Sequence, residues 1–259
     1  MSLKQKLKDG RTVIGSWIST ASPIAAELMA STGFDFLTVD AEHSSIDLAQ
    51  TQVLFQAMRA GNPDCAPLVR MPGITYAETK RYLDSGAAGV IAPMVNSTAQ
   101  AEELIRAVKY PPEGMRGVGF CRANGYGHRL REVMETANAE SFVCVQIEHV
   151  DALKNIDAIL AVQGIDAAMI GPYDLSASMG ITGQFEHKDM VSAASMILDA
   201  CRKHGVFPGI HVVQPDSAEV LRRANEGYRF VAYSLDITML LNACVNGLEE
   251  IRKNLSPLP

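Results

Sequence analysis

Eight apolar stretches bounded by Gly, Pro, Asn and Asp recur along the chain, and a segment with a helical period of apolar residues follows each of them. Near-continuous apolar runs of this kind are typical of strands buried on both faces of a parallel sheet. The predicted strands are VIGSWIS from Val13, FLTVDAE from Phe36, APLVRMP from Ala66, GVIAPMV from Gly89, FVCVQIE from Phe142, AAMIGPYDL from Ala167, FPGIHVV from Phe207 and RFVAYSLD from Arg229. The predicted helices cover residues 23–31, 47–60, 75–84, 98–108, 151–162, 188–204, 216–225 and 237–254.

The alternation of eight strands with eight helices predicts one closed (β/α)8 TIM barrel of the α/β class, spanning residues 1–259. Capping signals support the assignment: Ser22 and Pro23 begin a helix, and glycines such as Gly33 and Gly205 follow helix ends. A chain of 259 residues has the usual length of a single barrel, and no linker or low-complexity segment divides it.

One connection interrupts the alternation, the segment YPPEGMRGVGFCRANGYGHRLR at residues 110–131. Loops longer than about 12 to 15 residues inside a compact domain are usually functional or disordered. This one is rich in glycine, arginine and aromatic residues, which a simple linker does not need. We interpret it as a lid-like loop or a subunit contact after the fourth strand, with a purely structural excursion as the alternative.

Composition narrows the possible partners. The net charge is −6 and the basic residues are scattered, which argues against nucleic-acid binding. No apolar run approaches the roughly 18 residues of a membrane span, and no apolar stretch resembling a signal peptide follows the first residues. We therefore expect a cytoplasmic protein with no membrane partner. The five cysteines are widely spaced without a C-x-x-C pair, which argues against a disulfide framework and a zinc cluster.

Polar residues lie at the carboxyl ends of the predicted strands, where TIM barrels carry their active sites. Few of them belong in a core. In chain order they are Trp17, Asp40, Glu42, His43, Arg70, Asn96, Gln146, Glu148, Asp174, His211 and Asp236.

Two acidic residues in this set, Glu148 and Asp174, follow adjacent strands and offer hard oxygen ligands. Such a pair suits Mg²⁺, Mn²⁺ or a similar divalent ion that stays partly hydrated. Roles as helix caps or ion-pair partners are the alternative. Arg70 is suited to hold a carboxylate or an oxyanion, or to pair with an acid, and His43 is placed to act as a general base beside Glu42.

Several motifs occur in order and at similar spacing: Trp17, VDAEHS from Val39, VRMP from Val69, YLDSG from Tyr82, APMV from Ala92, KYPPEGMRGVG from Lys109, VQIE from Val145 and IGPYDLSASMG from Ile170. Together they make the whole chain resemble the HpcH/HpaI aldolase family of class II pyruvate aldolases. Members of this family include 4-hydroxy-2-oxoheptanedioate aldolase and 2-keto-3-deoxysugar acid aldolases. The resemblance implies a barrel of the phosphoenolpyruvate/pyruvate-binding type.

The resemblance also implies roles for individual residues. Glu148 and Asp174 would bind a divalent metal, Mg²⁺, Mn²⁺ or Co²⁺. His43 would act with Asp84 and Asp40 in proton transfer, and Arg70 would also be catalytic through its contact with the enolate. The substrate-binding residues would be Arg70, Gln146, Gly171, Pro172, Tyr173, Trp17 and Val212, with the backbone amides after Gly171 and Pro172 receiving the substrate carboxylate.

Two features of the sequence do not directly fit the roles that the resemblance implies. Asp84 ends a predicted helix, so it should lie at the opposite face of the barrel; either it reaches the site of a neighbouring subunit or its role does not transfer. Tyr173 and the FCRANGYG part of the long loop depart from the family pattern on the aldehyde side, which leaves the acceptor open. The family resemblance implies a homohexamer with sites shared between subunits.

The expected function is a metal-dependent lyase that reversibly cleaves a 4-hydroxy-2-oxo acid to pyruvate and an aldehyde through a pyruvate enolate. No lysine is predicted at a strand end, which fits metal chemistry rather than a Schiff base. The alternatives are an enzyme like citramalyl- or malyl-coenzyme A lyase and a non-catalytic barrel that binds a keto acid.

Overall fold

The eight predicted strands close into a parallel barrel in sequence order in the computed structural model, which describes residues 1–255. Each strand pairs with the next, and β8 pairs with β1. The predicted TIM barrel is therefore confirmed; residues 256–259 of the predicted domain lie outside the described residues. The strands are β1 Val13–Ile18, β2 Phe36–Asp40, β3 Ala66–Arg70, β4 Gly89–Ala92, β5 Phe142–Ile147, β6 Ala167–Ile170, β7 Phe207–Val212 and β8 Phe230–Leu235.

Twelve helices surround or cap the barrel within these residues. They are α1 Leu3–Lys8, α2 Pro23–Ser31, α3 Leu48–Gly61, α4 Tyr76–Asp84, α5 Thr98–Val108, α6 Leu130–Glu140, α7 Val150–Lys154, α8 Ile156–Leu160, α9 Pro172–Ser178, α10 Lys188–His204, α11 Ser217–Glu226 and α12 Asp236–Asn254. The predicted helix at 151–162 is divided into α7 and α8 at Asn155. The sequence patterns did not predict α1, α6 or α9.

Side chains alternate between the inside and the outside of the barrel along each strand. Inward-facing Phe36, Phe142 and Phe230 stack near the amino ends, with the Phe36 and Phe230 ring centres 4.3 Å apart. Leu3 and Leu7 of α1 pack against the same cluster and close that end. Since the amino-terminal part of the barrel is filled with apolar side chains, polar chemistry has room only at the carboxyl ends.

The long segment at 110–131 packs near the end of the barrel that holds the amino ends of the strands. Arg116 Nη2 donates to Asp84 Oδ1 at 2.8 Å, and Arg122 Nη1 donates to the carbonyl of Ser85 at 3.1 Å. Both acceptors lie where α4 ends. A helix that follows a parallel strand runs back toward the amino ends of the strands, so these contacts are at that end of the barrel. Within one chain, the segment therefore does not cover the carboxyl ends of the strands.

The final helix, α12, is attached to the barrel mainly through its first residue. Asp236 is its one buried residue, and its carboxylate accepts hydrogen bonds from the backbone amides of Ser19 and Thr20 and from the Thr20 hydroxyl. The rest of the helix is largely exposed, although it carries several large apolar side chains. Neither α12 nor any other helix in residues 1–255 has the length and apolar character that crossing a membrane requires.

Candidate active site

Arg70 is the last residue of β3, at the carboxyl end of the barrel, and is held by two acidic residues at or just after the end of β2. Its Nε donates to Asp40 Oδ1 at 2.9 Å and its Nη2 donates to Asp40 Oδ2 at 2.6 Å. Glu42 Oε2 lies 3.2 Å from the same Nε. Strands β2 and β3 pair Asp40 directly with Arg70, so the register fixes this two-point contact. The guanidinium is thereby held in one orientation at the barrel mouth.

These contacts set the protonation of both acids. Burial alone would raise the pKa of Asp40, but the hydrogen bonds and charge of Arg70, with the backbone amides of His43 and Glu42, lower it below its usual value. Burial raises the pKa of Glu42; the charges of Arg70 and His43 oppose this, and those of Asp40 and Asp174 add to it. Asp40 is therefore the anionic partner of Arg70, whereas the burial of the Glu42 carboxylate is only partly offset.

Trp17 and His211 form the floor of the pocket beneath Arg70. The Arg70 guanidinium lies 4.5 Å from the centre of the Trp17 ring, and the His211 ring stacks on Trp17 at 5.1 Å with an interplanar angle of 17°. His211 Nε2 lies 3.0 Å from the carbonyl of Ser234 and must donate to it, because a carbonyl can only accept. Burial, together with the charge of Arg70, lowers the pKa of His211 to about 4.

Glu148 lies across the barrel mouth, just after β5. Its side chain is 2% exposed, and its Oε1 accepts a 2.7 Å hydrogen bond from the backbone amide of Met94. Its Oε2 accepts from the amide group of Gln146. Met94 takes the left-handed backbone conformation with φ of 51°, which is uncommon for a residue other than glycine and aims its N–H at the carboxylate.

Gly171 is required beside this carboxylate because a Cβ at that position would lie 2.6 Å from Glu148 Oε2 and 2.8 Å from Glu148 Cβ. The chain after β6 thus approaches Glu148 closely before α9 begins at Pro172. Asp174 is in the first turn of α9. The first hydrogen bond of that helix runs from Leu175 N to Gly171 O, so the amides of Tyr173 and Asp174 precede it.

The carboxylates of Glu42 and Asp174 lie close enough to Glu148 to affect its charge. Burial raises the pKa of Glu148; the Met94 amide and Gln146 oppose this, whereas Glu42 and Asp174 add to it. Gln146 Oε1 is buried without a hydrogen-bond partner, and Glu42 Oε2 accepts no hydrogen bond although it is ion-paired with Arg70. Among residues 1–255, no group of three or more His, Cys, Asp or Glu side chains is arranged to hold a metal ion. Two carboxylates beside orphaned acceptors nevertheless fit a divalent ion that keeps other positions for water or substrate.

The remaining residues predicted for the site are distributed unevenly. His43 lies at its rim, with 63% of its side chain exposed and its Nε2 3.9 Å from Glu42 Oε2. Tyr173 is on the exposed side of α9. Val212 faces outward from the barrel into the layer between sheet and helices, because the inward position on β7 belongs to His211. Asp84 is not brought to this pocket within the chain and is paired with Arg116.

Three contributions to the pocket were missed when site residues were assigned from sequence: Glu42, His211 and the backbone amide of Met94. The first two were recognised as strand-end polar residues, and strand alternation from Phe207 would have indicated that His211, not Val212, faces inward. No sequence signal indicates the left-handed conformation of Met94.

The low pKa of His211 predicts acid sensitivity. Because the folded state holds the imidazole neutral, the unfolded state binds an additional proton below its ordinary pKa near 6.5. Stability should therefore fall as the pH drops from about 6.5 to about 4, by up to about 3 kcal/mol from this residue. His211→Phe, which keeps a ring against Trp17, should flatten this part of the pH dependence.

The measurement is the free energy of unfolding in urea at several pH values between 4 and 7. The variant His128→Phe, at an exposed position, controls for the loss of an imidazole. An unchanged slope in His211→Phe would contradict the assigned neutral state.

Comparison with known proteins identifies relatives of the whole chain. The HpcH/HpaI aldolase/citrate lyase family model matches residues 13–243. The chain is 40% identical to hydroxypyruvate/pyruvate aldolase of Roseobacter denitrificans over 244 residues, which are 93% of each protein. It is 38% identical to 4-hydroxy-2-oxo-heptane-1,7-dioate aldolase of Escherichia coli over 244 residues, 93% of this chain and 91% of the relative.

A solved structure agrees with the sequence comparison. An HpcH/HpaI aldolase/citrate lyase family protein from Burkholderia cenocepacia superimposes with a TM-score of 0.92 and 35% identity, over 96% of this chain and 98% of the other. The resemblance in the sequence motifs is thus confirmed. The chain belongs to the HpcH/HpaI aldolase/citrate lyase family.

Proposed function

We propose that the protein is a divalent-metal-dependent pyruvate aldolase that reversibly cleaves a 4-hydroxy-2-oxo acid to pyruvate and an aldehyde. The observation that carries this proposal is the guanidinium of Arg70, which Asp40 fixes at the end of β3. The carboxylates of Glu148, just after β5, and Asp174, shortly after β6, lie at the same end of the barrel. Relatives with 40% and 38% identity are named as a hydroxypyruvate/pyruvate aldolase and a 4-hydroxy-2-oxo-heptane-1,7-dioate aldolase, which supports it.

Glu148 and Asp174 would hold the metal, for which Mg²⁺, Mn²⁺ and Co²⁺ are the candidates. When bound, such an ion acts as a Lewis acid toward the keto group of the substrate. The buried and poorly compensated carboxylate of Glu148 supports this role, since a nearby cation would offset the effect of burial on its charge. The Met94 amide and Gln146 would keep the carboxylate in position.

Arg70 would stabilise the negative charge that develops on the enolate. Asp40 and the Trp17 face hold its guanidinium before substrate arrives, so little reorganisation is needed when the charge appears. Gln146 would contact the keto acid, and the first-turn amides of Tyr173 and Asp174 would receive its carboxylate. These amides have no earlier carbonyl of the same helix to bond.

Cleavage requires a base for the proton of the 4-hydroxyl group. When this proton leaves, the bond between C3 and C4 breaks and the aldehyde is released. The electron pair of that bond forms the pyruvate enolate, and C3 is then protonated. His43 is suited to the first step because its ring is accessible at the rim and lies next to the Glu42 carboxylate. Asp40 would act indirectly by fixing the backbone of Glu42 and His43 through its Oδ1.

We also propose a homo-oligomer, the hexamer that the family resemblance implies. Two surfaces support assembly. One is α12, which exposes apolar side chains along its length, and the other is the segment at 110–131, which exposes four more. If the second surface meets the barrel mouth of another copy, Asp84 enters the site in trans. The exposed apolar residues are Ile237, Leu240, Leu241, Val245, Leu248 and Ile251 on α12, and Met115, Val118, Phe120 and Tyr126 in the segment at 110–131.

A charge on the apolar face of α12 should dissociate this assembly. Leu241→Glu should lower the mass measured by light scattering after size-exclusion chromatography, because a carboxylate would be buried without a partner. Glu249→Gln, a polar exchange at an exposed position of the same helix, should leave the mass unchanged. Unmodified protein that elutes as a monomer at micromolar concentration would contradict the proposal.

The activity is tested by exchange of the pyruvate methyl protons for deuterium, followed by NMR with Mg²⁺ or Mn²⁺ present, together with aldol addition to a panel of aldehydes. Metal-dependent exchange and carbon–carbon bond formation are expected. A protein that binds pyruvate without exchange would be a keto-acid-binding barrel. Cleavage restricted to coenzyme A thioesters would instead indicate a citramalyl- or malyl-coenzyme A lyase.

A further inference from the structure

A cavity of about 700 Å³ extends from the barrel mouth along the outside of β7, between α10 and α11. At the mouth it is lined by Pro172, Tyr173 and His211, which border the candidate active site. At its inner end it reaches Tyr228, just before β8. Its volume falls within the range of small-molecule sites and is large for a two-carbon aldehyde alone. We refer to it as the side groove.

The α10 wall of the side groove is apolar. Met190, Val191, Ala194 and Leu198 lie on one face of the helix, at the spacing of successive turns. At a rise of 1.5 Å per residue, the eight steps from Met190 to Leu198 cover about 12 Å. At the entrance, the Tyr173 ring meets the edge of Phe185 with centres 4.9 Å apart. The groove thus offers a continuous apolar surface to an extended chain.

The α11 wall carries charges, but they are paired with one another. Arg222 and Arg223 both donate to Glu219, and both also donate to Glu226. No guanidinium on this wall is left to receive a carboxylate of a ligand. A chain that ends in a negative charge would therefore gain no partner here.

Tyr228 indicates that the inner end is built for a ligand. Its side chain is 1% exposed, and its hydroxyl has no hydrogen-bond partner among the described residues. Burial raises the pKa of this hydroxyl to about 12, so it stays protonated and able to donate. An unpartnered buried hydroxyl is unfavourable unless a water or a ligand satisfies it.

We propose that the side groove is a binding site for the distal chain of the acceptor aldehyde, and that the enzyme favours extended, uncharged acceptors over short or carboxylated ones. The inference rests on the proposed aldolase function, since it concerns the second substrate of the same site. The chain enters past Tyr173 and Phe185 and packs on α10, and only a chain long enough to cross the groove reaches the hydroxyl of Tyr228.

The test is kcat/KM for aldol addition at saturating pyruvate with acetaldehyde, butanal, hexanal and succinic semialdehyde. Each buried methylene should contribute a few-fold, so hexanal should exceed acetaldehyde at least tenfold. Ala194→Phe, which fills the groove, should remove this gain and leave acetaldehyde within about twofold. Met196→Phe, on the side of α10 that faces α8, is the matched control and should behave as the unmodified enzyme.

Val191→Trp provides a second way to fill the groove at a half-exposed position, in case Ala194→Phe does not fold. Tyr228→Phe should lower kcat/KM about fivefold for an aldehyde whose chain is long enough to cross the groove and ends in a methyl ether, and leave its apolar counterpart of equal length unchanged.

A flat dependence on chain length, a preference for succinic semialdehyde, or equal effects of the filling variants on acetaldehyde and hexanal would overturn the groove assignment while pyruvate proton exchange persists. Loss of that exchange in the unmodified enzyme would instead overturn the aldolase function, and the groove assignment with it.

Discussion

Arg70→Lys is expected to lower kcat for aldol cleavage by about 10² to 10³. Lysine keeps the positive charge but cannot reproduce the two parallel hydrogen bonds to Asp40 or the flat contact with the Trp17 ring. The cation would then be free to move, and the stabilisation of the enolate would weaken. The KM for the oxo acid should change less than kcat, because the loss concerns charge that appears in the transition state.

Lysine is preferred to alanine for this experiment because alanine would leave Asp40 and Glu42 buried without their cation. The rate of pyruvate proton exchange should fall in parallel with kcat, since both reactions pass through the enolate. Arg131→Lys, at a side chain that is 95% exposed, is the control. Exchange at the unmodified rate in a folded Arg70→Lys protein would exclude the enolate role.

The fold could be predicted from the sequence because a barrel buries its strands on both faces. This leaves eight apolar runs that even a single sequence displays, and every predicted strand is present from the expected residue or within one of it. α6 and α9 were missed for different reasons. Few residues of α6 are buried, so its apolar pattern is weak. The beginning of α9 was read as a continuation of β6, although Pro172 favours the first turn of a helix.

The candidate site was predictable as a set of strand ends but not as a set of contacts. Asp40, Arg70 and Gln146 face inward as the alternation requires, whereas Val212 faces the helices and His211 takes the inward place. The pairing of Arg70 with Asp40 depends on the register between β2 and β3, which apolar pattern alone does not determine. The position of Asp84 agrees with the helix phase, which placed it at the opposite end.

The long segment at 110–131 illustrates another limit. Its composition indicated a functional loop, but composition does not say which end of the barrel a loop occupies. The connection from a helix to the next strand lies at the amino ends, and this fixes the segment beside α4. The segment can therefore cover only the barrel mouth of another copy of the chain.

Glu148→Gln is expected to abolish aldol cleavage, with a loss of at least 10³ in kcat. It should also remove most of the stabilisation that Mn²⁺ or Mg²⁺ gives to the folded protein. Glutamine has nearly the same shape as glutamate but is a poorer ligand for a divalent cation, because it lacks the negative charge. At a metal concentration of about 100 times Kd, the unmodified protein should gain about 2.7 kcal/mol of stability, and the variant should gain little.

The same substitution separates metal binding from general damage to the fold. It should reduce the stability that the protein gains from metal, but it should not lower the stability of the metal-free protein. Glu148 is a 2% exposed carboxylate near Glu42 and Asp174, and no cationic side chain contacts it among residues 1–255. Removing its charge should leave the metal-free protein as stable as the unmodified one or more stable. Thermal unfolding with and without Mn²⁺ measures both effects, with Glu103→Gln on the exposed face of α5 as control. Equal stabilisation of Glu148→Gln and the unmodified protein by Mn²⁺ would exclude Glu148 as a metal ligand, whereas a metal-free variant of lower stability would assign the carboxylate a structural role.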